Sequence, residues 1–512
     1  MKMTGTMCAA AVAFAVAVPS LAKSETKAAA EPFRPEWDSL QRYRCPEWFR
    51  DAKFGIWAHW GPQCVPMWGD WYAKNMYVPG ANRGQYKHHV ETYGHPSKFG
   101  FKDIIPLWKA ENFDPDRLMS LYKEAGARYF VSMGVHHDNF DLWDSKHHRW
   151  NAVKMGPRRD IVGAWQKAAH KQGLKFGVSE HLGASFTWFQ TSHKRDTNGP
   201  MAGVPYDGAN PQWQDLYHPP AAPDDTAWYS TNPEWAKEWL ARIMDLVDQY
   251  KPDLLYTDGA LPFGEIGRQM LSHFYNANLR RNDGRLEAVY CLKDPGSRKG
   301  HGEYVDGIGV QDIERGGLSG IKDQPWQTDT SIGDWFYNQN WKAKDTGTMY
   351  RSAGWVIRNL ADIVSKNGNM LLNVIQRPDG SLDPEVERLL ADIAAWMKIN
   401  GEAIFETRPW QVYGEGETKV DSGHFKEDFA FSARDIRFTR SKDGGIIYAM
   451  ALGVPDGEVR IRSMARDKQR ISGVRLLGSE EKISWKQEAD ALVIQKPAGW
   501  PCGHAVAFKI TE

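Results

Sequence analysis

The chain has 512 residues, with 64 Lys and Arg against 64 Asp and Glu, so its formal net charge is zero. This balance gives no electrostatic support for binding nucleic acid, and 42% hydrophobic with 25% charged residues is typical of a globular protein and excludes a disordered one. The length predicts about two to four domains, or one large barrel with a smaller module. Tryptophan is unusually frequent, with 23 residues, and its side chain fills cores and also offers an apolar face to flat ligands and sugar rings.

Residues 1–22 have the features of a secretory signal peptide. Lys2 gives a positively charged start, residues 7–18 are apolar, and the small residue Ala22 marks the expected cleavage site. The apolar run is too short to span a bilayer, and no later segment is long and apolar enough to do so. We therefore expect a periplasmic or secreted protein without a membrane partner.

Four cysteines follow this segment: Cys45, Cys64, Cys291 and Cys502. They show no CxxC spacing, so we expect neither a zinc site nor a redox site. Cys45 and Cys64 could form a disulfide in an oxidising compartment, with unpaired thiols as the equal alternative.

Residues 23–404 alternate between predicted helices and short apolar strands. Helix starts are indicated at Asp114-Pro115, Asp160, Asn232-Pro233 and Asp383-Pro384, where a capping side chain precedes proline or an apolar periodic run. Strands are predicted at residues 54–58, 128–133, 174–178, 254–257, 288–292, 307–311, 326–328 and 369–374. Such alternation implies a parallel sheet, and about eight strands favour an α/β fold of the (β/α)8 or TIM-barrel type over an open doubly wound sheet. No GxGxxG or Walker motif follows a strand, which also argues against a nucleotide-binding fold.

Residues 405–512 have a different pattern. Short strands are predicted at residues 436–438, 446–450, 459–461, 483–485, 492–494 and 506–510. Their close spacing without helices predicts a C-terminal all-β sandwich. We expect this domain to support the barrel, with an independent binding role as the alternative.

Polar residues follow several predicted barrel strands, at the end where barrel enzymes carry their active sites. They are His59 and Trp60, His136 and His137, Glu180 and His181, Asp258, and Glu314. Two carboxylates on one rim indicate glycoside cleavage, in which an ionised carboxylate is the nucleophile and a protonated one is the acid/base. This reaction needs no cofactor.

Neutral imidazoles suit sugar hydroxyls, because each ring can donate and accept a hydrogen bond. Candidates for an apolar platform are Trp60, Trp68, Trp71 and Trp188. A metal site is not expected, because the adjacent His136 and His137 cannot both point the same way from a regular strand and no HxH or HExxH motif is present.

Five motifs in order resemble those of glycoside hydrolase family 29, the retaining α-L-fucosidases. Residues 53–61 and 68–72 read KFGIWAHWG and WGDWY; residues 136–151 contain HHDNF, DSK and WN; residues 159–162 read RDIV; and residues 365–374 read SKNGNMLLNV, followed by PDG at 378–380. The resemblance runs from about residue 35 to residue 400. It implies a (β/α)8-like barrel with a C-terminal β-sandwich, in agreement with the pattern of elements.

The resemblance also implies roles for individual residues. Asp258 matches the nucleophile, while His59, His136, His137 and Trp71 match positions that bind fucose.

The chain departs from the family pattern at three places. Asp70 stands where the family often has Glu, and Tyr256 replaces a frequent Trp. A Tyr-containing segment is replaced by residues 178–181, where we expect His181 to face the site, with Glu180 as the competing residue. Apart from these three departures, no clear match is found for the family's sugar-contacting Arg near Lys293.

Glu314 resembles the family's acid/base, because it lies between the nucleophile strand and a segment that begins Trp326-Gln327. The alternatives for this role are Glu303, Glu265 and Glu180. A purely structural pairing of Glu314 with Arg315 also stays open.

The resemblance implies a secreted, exo-acting, retaining α-L-fucosidase that takes fucosylated oligosaccharides or polysaccharides and needs no cofactor or metal. One alternative is a glycosidase for another α-L-galacto-configured sugar, and another is a non-catalytic fucose-binding protein. The long segment 183–231 is expected to shape specificity. The oligomeric state is not indicated.

Overall fold

The computed structural model describes Met1 and residues 31–512. Apart from Met1, the predicted signal peptide lies outside the described residues. Within the described part of the chain, no helix combines the length and the apolar character needed to cross a membrane.

Eight parallel strands form a closed barrel in which each strand pairs with the next and the last pairs with the first. They are β1 (Phe54–Ala58), β2 (Tyr129–Val135), β3 (Lys175–Glu180), β4 (Leu254–Thr257), β5 (Val289–Lys293), β6 (Val310–Asp312), β7 (Trp326–Ser331) and β8 (Gly368–Asn373). Nearly all their residues are buried, as expected for strands covered on both faces. The predicted TIM barrel is confirmed, and each of its predicted strands overlaps an observed one.

Seven helices of eight or more residues occur in the described chain. They are α1 (Gln85–Thr92), α2 (Pro115–Glu124), α3 (Ile161–Lys171), α4 (Pro233–Tyr250), α5 (Glu265–Arg281), α6 (Ala353–Ser365) and α7 (Pro384–Asn400). Asp114, Asp160 and Asn232 each cap a helix by accepting hydrogen bonds from backbone N–H groups of its first turn, as predicted. Shorter α-helices lie at Trp37–Leu40, Glu47–Ala52, Tyr72–Asn75, Phe101–Ile104, Ser185–Trp188 and Gln214–Tyr217.

The barrel departs from a regular β/α alternation between β5 and β7. In residues 294–309 and 313–325, which the structure describes throughout, the chain forms turns and loops and no helix. The outer helical layer is therefore interrupted beside β6, which has only three residues.

The C-terminal strands form two antiparallel sheets, which confirms the predicted sandwich. The strands are β9 (Thr407–Glu415), β10 (Ile436–Ser441), β11 (Ile446–Ala451), β12 (Val459–Ile461), β13 (Gly473–Leu476), β14 (Trp485–Gln487), β15 (Leu492–Ile494) and β16 (Val506–Thr511). Their order is β13-β16-β11-β10-β9 in one sheet and β12-β15-β14 in the other. Phe438 and Phe508 of the first sheet share an apolar core with Ile461 and Ile494 of the second. The boundary at residue 405 stays a prediction.

The five-stranded sheet also contacts the barrel through buried charges. Arg437 of β10 donates from Nε to Asp362 of α6 at 2.6 Å, and Lys366 binds the other oxygen of the same carboxylate at 2.6 Å. All three side chains are almost fully buried, so the sandwich and the barrel share a desolvated ionic contact.

The four cysteines of the described chain, Cys45, Cys64, Cys291 and Cys502, are free thiols. The alternative of unpaired cysteines is therefore the one that the structure supports.

Candidate active site

A cavity of 480 Å³ lies at the C-terminal end of the barrel strands. Parallel strands deliver the residues at their C-terminal ends to the same rim, so polar side chains far apart in sequence meet there. The strand-end residues that line the cavity are His59 after β1, His136 after β2, His181 after β3, Asp258 after β4, Lys293 at the end of β5 and Glu314 just after β6.

Most of the residues predicted for the site meet in this cavity. Seven line it: His59, Asp70, Trp71, His136, His181, Asp258 and Glu314. His137 and Tyr256 lie behind the cavity wall, where both contact the Asp258 carboxylate.

The prediction that Trp60 contributes to the site is wrong. Its ring is buried against Trp108 and Phe113, with ring centroids 4.8 Å and 5.1 Å away, and its Nε1 donates to the backbone oxygen of Arg377. Successive side chains of an extended segment point to opposite sides, so His59 turns into the barrel and Trp60 turns outward. Trp60 is therefore a packing residue.

Two other tryptophans considered for the platform also lie outside the cavity wall. Trp68 stacks on His88 with ring centroids 3.9 Å apart. Trp188 is 2% exposed and packs edge-on against Trp71. Of the four predicted platform residues, only Trp71 faces the cavity.

The Asp258 carboxylate has polar neighbours at both oxygens. Oδ1 accepts from Lys293 Nζ at 2.6 Å and lies 3.3 Å from the Tyr256 hydroxyl oxygen. Oδ2 lies 3.1 Å from His181 Nδ1 and 3.3 Å from His137 Nε2. The orientation of His137 is set from behind, because its Nδ1 donates to the backbone oxygen of His181 at 2.6 Å.

These neighbours determine the charge of Asp258. Burial alone would raise the pKa of its carboxyl, but the Lys293 ammonium together with His181 and His137 outweighs burial and holds the pKa well below its usual range. Asp258 is therefore an ionised carboxylate, as a nucleophile must be.

Lys293 connects the two candidate catalytic carboxylates. Its Nζ lies 2.6 Å from Asp258 Oδ1 and 2.7 Å from Glu314 Oε2. Those two contacts together limit the separation of the two oxygens to about 5.3 Å. Retaining glycosidases separate their carboxyl groups by about 5–5.5 Å, whereas inverting enzymes need about 6.5–9.5 Å.

Burial raises the pKa of Glu314, and the negative charges of Asp329 and Asp258 act in the same direction, although Lys293 opposes them. A carboxyl group with a raised pKa beside an ionised carboxylate is the arrangement that acid/base catalysis requires. Glu314 thus has the protonation behaviour expected of a general acid.

The other carboxylates considered for the acid/base role lie elsewhere. Glu180 points away from the cavity and accepts hydrogen bonds from Thr257 Oγ1 and Trp239 Nε1. Glu303 pairs with Arg268 at 2.8 Å, and Glu265 begins helix α5. The cavity wall contains none of the three. The same geometry places His181, and not Glu180, in the site, as expected.

The buried histidines present polar atoms that the protein does not satisfy. Nδ1 of His59 and Nε2 of His181 have no hydrogen-bond partner in the described chain. Gln63 donates to Nδ1 of His136 at 2.8 Å, so the proton of the neutral His136 ring is on Nε2, directed toward the cavity side and 3.8 Å from Asp70 Oδ1. Unsatisfied buried polar groups cost about 1–3 kcal/mol each, so this surface favours a polar ligand.

Burial lowers the pKa of His59, His136 and His181, and the mutual proximity of the rings adds to this effect. All three are neutral imidazoles at neutral pH and can each donate and accept. Asp70 shows the opposite shift: burial, followed by the charge of Asp334, raises the pKa of its carboxyl to about 8. Asp70 is therefore mainly protonated at neutral pH.

The same imidazoles are spaced so that they could hold a metal ion. One nitrogen from each of His59, His136 and His181 lies within 4.8 Å of the others, and His137, His181 and Asp258 form a second such group. The donor set of three neutral imidazoles fits zinc. The same atoms can instead bind vicinal hydroxyl groups of a sugar.

A second layer of carboxylates supports Lys293 and Tyr256. The Tyr256 hydroxyl donates to Asp329 Oδ2 at 3.0 Å, and Lys293 Nζ lies 3.7 Å from the same oxygen. Burial, with Asp329 beside it, raises the pKa of Asp312 well above its usual range. The Lys293 ammonium is therefore fixed by Asp258 and Glu314 at the cavity and by Asp329 behind it.

Several lining residues were not predicted from sequence. They include Trp57, Trp228, Lys293, Arg298, Asp329 and Phe425. Lys293 ends a barrel strand, so its position was a usable signal. Phe425 lies in the C-terminal domain, and no local pattern indicates that it reaches the barrel.

A TIM barrel that presents an ionised and a protonatable carboxylate beside neutral imidazoles at the C-terminal ends of its strands is a glycoside hydrolase. Comparisons with known proteins define the family. The model of the α-L-fucosidase family matches residues 20–402, and that of the α-L-fucosidase C-terminal domain matches residues 430–511. The chain belongs to the α-L-fucosidase family.

Individual relatives align with nearly the whole length of this chain. Mouse tissue α-L-fucosidase is 27% identical over 494 residues, covering 94% of each chain, and the tissue α-L-fucosidase of Macaca fascicularis is 29% identical over 511 residues, covering 96% of this chain and 94% of the relative. The crystal structure of Thermotoga maritima α-fucosidase in complex with a mechanism-based inhibitor superposes with a TM-score of 0.72 at 27% identity, covering 94% of this chain and all of that one.

Proposed function

We propose that the protein is an exo-acting, retaining α-L-fucosidase that hydrolyses terminal α-L-fucosyl residues from glycans. The observation that carries the proposal is the pair of carboxylates on Lys293, whose oxygens are about 5.3 Å apart at most. That separation suits direct attack by one carboxylate and leaves too little room for the water molecule of an inverting enzyme.

In the first step, Asp258 attacks C1 of the fucosyl residue, and Glu314 donates its proton to the glycosidic oxygen, which leaves with the bonding electrons. Lys293 holds Oε2 of Glu314, so the transferred proton is carried by Oε1. The product is a fucosyl ester of Asp258 and a free leaving-group sugar.

In the second step, the now ionised Glu314 takes a proton from water, and the water oxygen attacks C1. The ester bond to Asp258 breaks, and fucose leaves with the configuration of the substrate. His181 Nδ1 lies 3.1 Å from Oδ2 of Asp258, and a proton on this nitrogen stabilises the carboxylate each time it is released.

Recognition of the sugar is assigned to the floor of the cavity. His59, His136 and His181 are each 4% exposed, whereas Phe425 at the rim is 67% exposed. A cavity with buried polar groups at one end and an exposed rim at the other suits a single terminal residue that enters from one side. This arrangement supports exo action.

The mechanism is tested with a 2-deoxy-2-fluoro-fucosyl substrate that has a reactive leaving group. Mass spectrometry should find one fucosyl adduct on the peptide that contains Asp258, and NMR of the normal reaction should show the α-anomer first. An adduct on another peptide, or β-fucose as the first product before mutarotation, would exclude this mechanism. Aryl α-L-galactoside and β-D-galactoside, assayed in parallel, test the choice of sugar, and fucose binding without turnover would indicate a lectin.

We also propose export to the periplasm or the medium, on the basis of the N-terminal sequence alone. Expression of the full chain in a Gram-negative host, followed by fractionation and N-terminal sequencing, should give a mature protein that begins at Lys23 outside the cytoplasm. An intact N-terminus in the cytoplasmic fraction would contradict export.

A further inference from the structure

The loop between β9 and β10 of the sandwich, residues 416–435, returns to the barrel and contacts the segment that carries Glu314. Glu314 N–H donates to Nδ1 of His424 at 2.9 Å, and Phe425 N–H donates to the backbone oxygen of Glu314 at 2.8 Å. Gly423 pairs with Gly317 in an antiparallel bridge. The β9–β10 loop therefore borders the acid/base on its backbone side.

Phe425 is held firmly in this loop from both sides. Beyond it, the buried Glu427 binds Arg315 at 3.1 Å and Arg351 at 3.3 Å. Before it, Ser422 accepts a hydrogen bond from the backbone N–H of Ser319 at 2.8 Å. Because its neighbours are fixed, the position of Phe425 is determined by the fold.

Two features of Phe425 are unusual for a structural residue. Its side chain is 67% exposed, although it is a large apolar group. Its backbone has a φ of 57°, in the left-handed region that bulky residues avoid. Strain of this kind is maintained by surrounding contacts and is concentrated at functional positions. The exposed ring lines the same cavity as Asp258 and Glu314.

We propose that Phe425 is the platform for the leaving-group sugar. Glu314 must face the glycosidic oxygen, so the ring attached to that oxygen lies on the Glu314 side of the cavity, where Phe425 lines the wall. The apolar face of a pyranose ring packs on an aromatic ring and thereby removes apolar surface of both from water. The inference rests on the proposed function, and it makes the sandwich domain a contributor to substrate binding.

The test uses the second half of the reaction, in which a sugar can replace water as the acceptor. α-L-Fucosyl fluoride supplies the fucosyl enzyme without a leaving-group ring. The acceptors are methanol and the methyl pyranosides of galactose, glucose and N-acetylglucosamine. Glu314 activates every acceptor alike, so the ratio of transfer to the best pyranoside over transfer to methanol reports binding of the ring.

We expect Phe425→Ala to lower this ratio about tenfold and Phe425→Trp to preserve it, because burial of a few tens of Å² of apolar surface is worth about one factor of ten. A change in the hydrolysis of fucosyl fluoride does not enter this ratio, because both acceptors react with the same fucosyl enzyme. The control is Val454→Ala, a truncation of another exposed apolar residue of the sandwich, outside the cavity wall, which should leave the ratio unchanged.

An unchanged ratio in Phe425→Ala, or wild-type enzyme that transfers to none of the pyranosides, would overturn the platform. An equal loss with methanol and pyranoside would also overturn it, because Phe425 would then act only by holding the Glu314 segment. Wild-type enzyme that does not hydrolyse fucosyl fluoride would overturn the proposed function itself, and with it this inference.

Discussion

Lys293 is expected to set the pH range in which the enzyme works. Its ammonium contacts Asp258 at 2.6 Å and Glu314 at 2.7 Å, and it favours the ionised form of both. Replacement by methionine keeps a similar volume but removes the charge. The pKa values of both carboxyls should therefore rise.

The size of the change follows from the loss of one charge-assisted hydrogen bond at each carboxylate. Such a bond contributes about 1.5–3 kcal/mol, and about 1.4 kcal/mol corresponds to one pKa unit. The two groups titrate as a coupled set, so the shift belongs to the pair. We expect each limb of the pH profile to move upward by about one to two units.

The assay is the pH dependence of kcat/KM with an aryl α-L-fucoside. Its acidic limb reports ionisation of Asp258, and its alkaline limb reports loss of the Glu314 proton. Lys293→Met should move both limbs to higher pH, while Lys293→Arg, which keeps the charge, should leave them close to wild type. A folded Lys293→Met protein whose limbs are unmoved, or move to lower pH, would refute this reasoning.

Three further predictions concern other parts of the molecule. Glu314→Ala should lower kcat about 10²- to 10⁴-fold with fucosyl oligosaccharides but much less with 2,4-dinitrophenyl fucoside, whose leaving group needs no proton; equal losses with both substrates would contradict its role as the acid. Asp70 has a pKa of about 8 in the folded protein, whereas an ordinary aspartate has a pKa of 3.8. The folded state therefore binds this proton more tightly, and Asp70 lowers stability progressively as the pH rises between those values. Asparagine resembles the protonated carboxyl, so in thermal melts the Tm of Asp70→Asn relative to wild type should rise as the pH increases from 5 to 8. A Tm difference that stays constant over this range would contradict the shifted pKa. Arg437→Met should cost about 1.5–3 kcal/mol of unfolding free energy, because Asp362 loses one charge-assisted hydrogen bond in a buried position but keeps Lys366. Chemical denaturation measures this loss, activity per folded molecule should be unchanged, and a loss below about 1 kcal/mol would show that water reaches the contact.

The barrel could be predicted because its strands are buried on both faces. Such strands appear in the sequence as uninterrupted apolar runs, and capping residues such as Asp114 and Asp160 mark the helices between them. Helix α5 lacked this signal, since Gly264 precedes it without a side-chain cap. Strand β13 has only four residues, too few for a clear alternation.

The candidate site was predictable only where a strand ends. Asp258 and His181 follow strands directly, and their positions depend on local geometry. Trp60 shows the limit of this reasoning, because one residue beyond His59 the side chain leaves the site. Phe425 reaches the cavity through contacts with residues more than a hundred positions away, and such contacts leave no pattern in a single sequence.

The interruption of the helical layer beside β6 affects which parts of the substrate preference can change by mutation. Residues 294–309 and 313–325 carry Arg298 and Glu314 without an outer helix that would have to be repacked when the loops change length. The histidines of the cavity floor, by contrast, follow β1, β2 and β3, and helix α3 packs on β2 and β3. Directed evolution should therefore alter the preference for the departing sugar at a lower cost in folding than the preference for fucose.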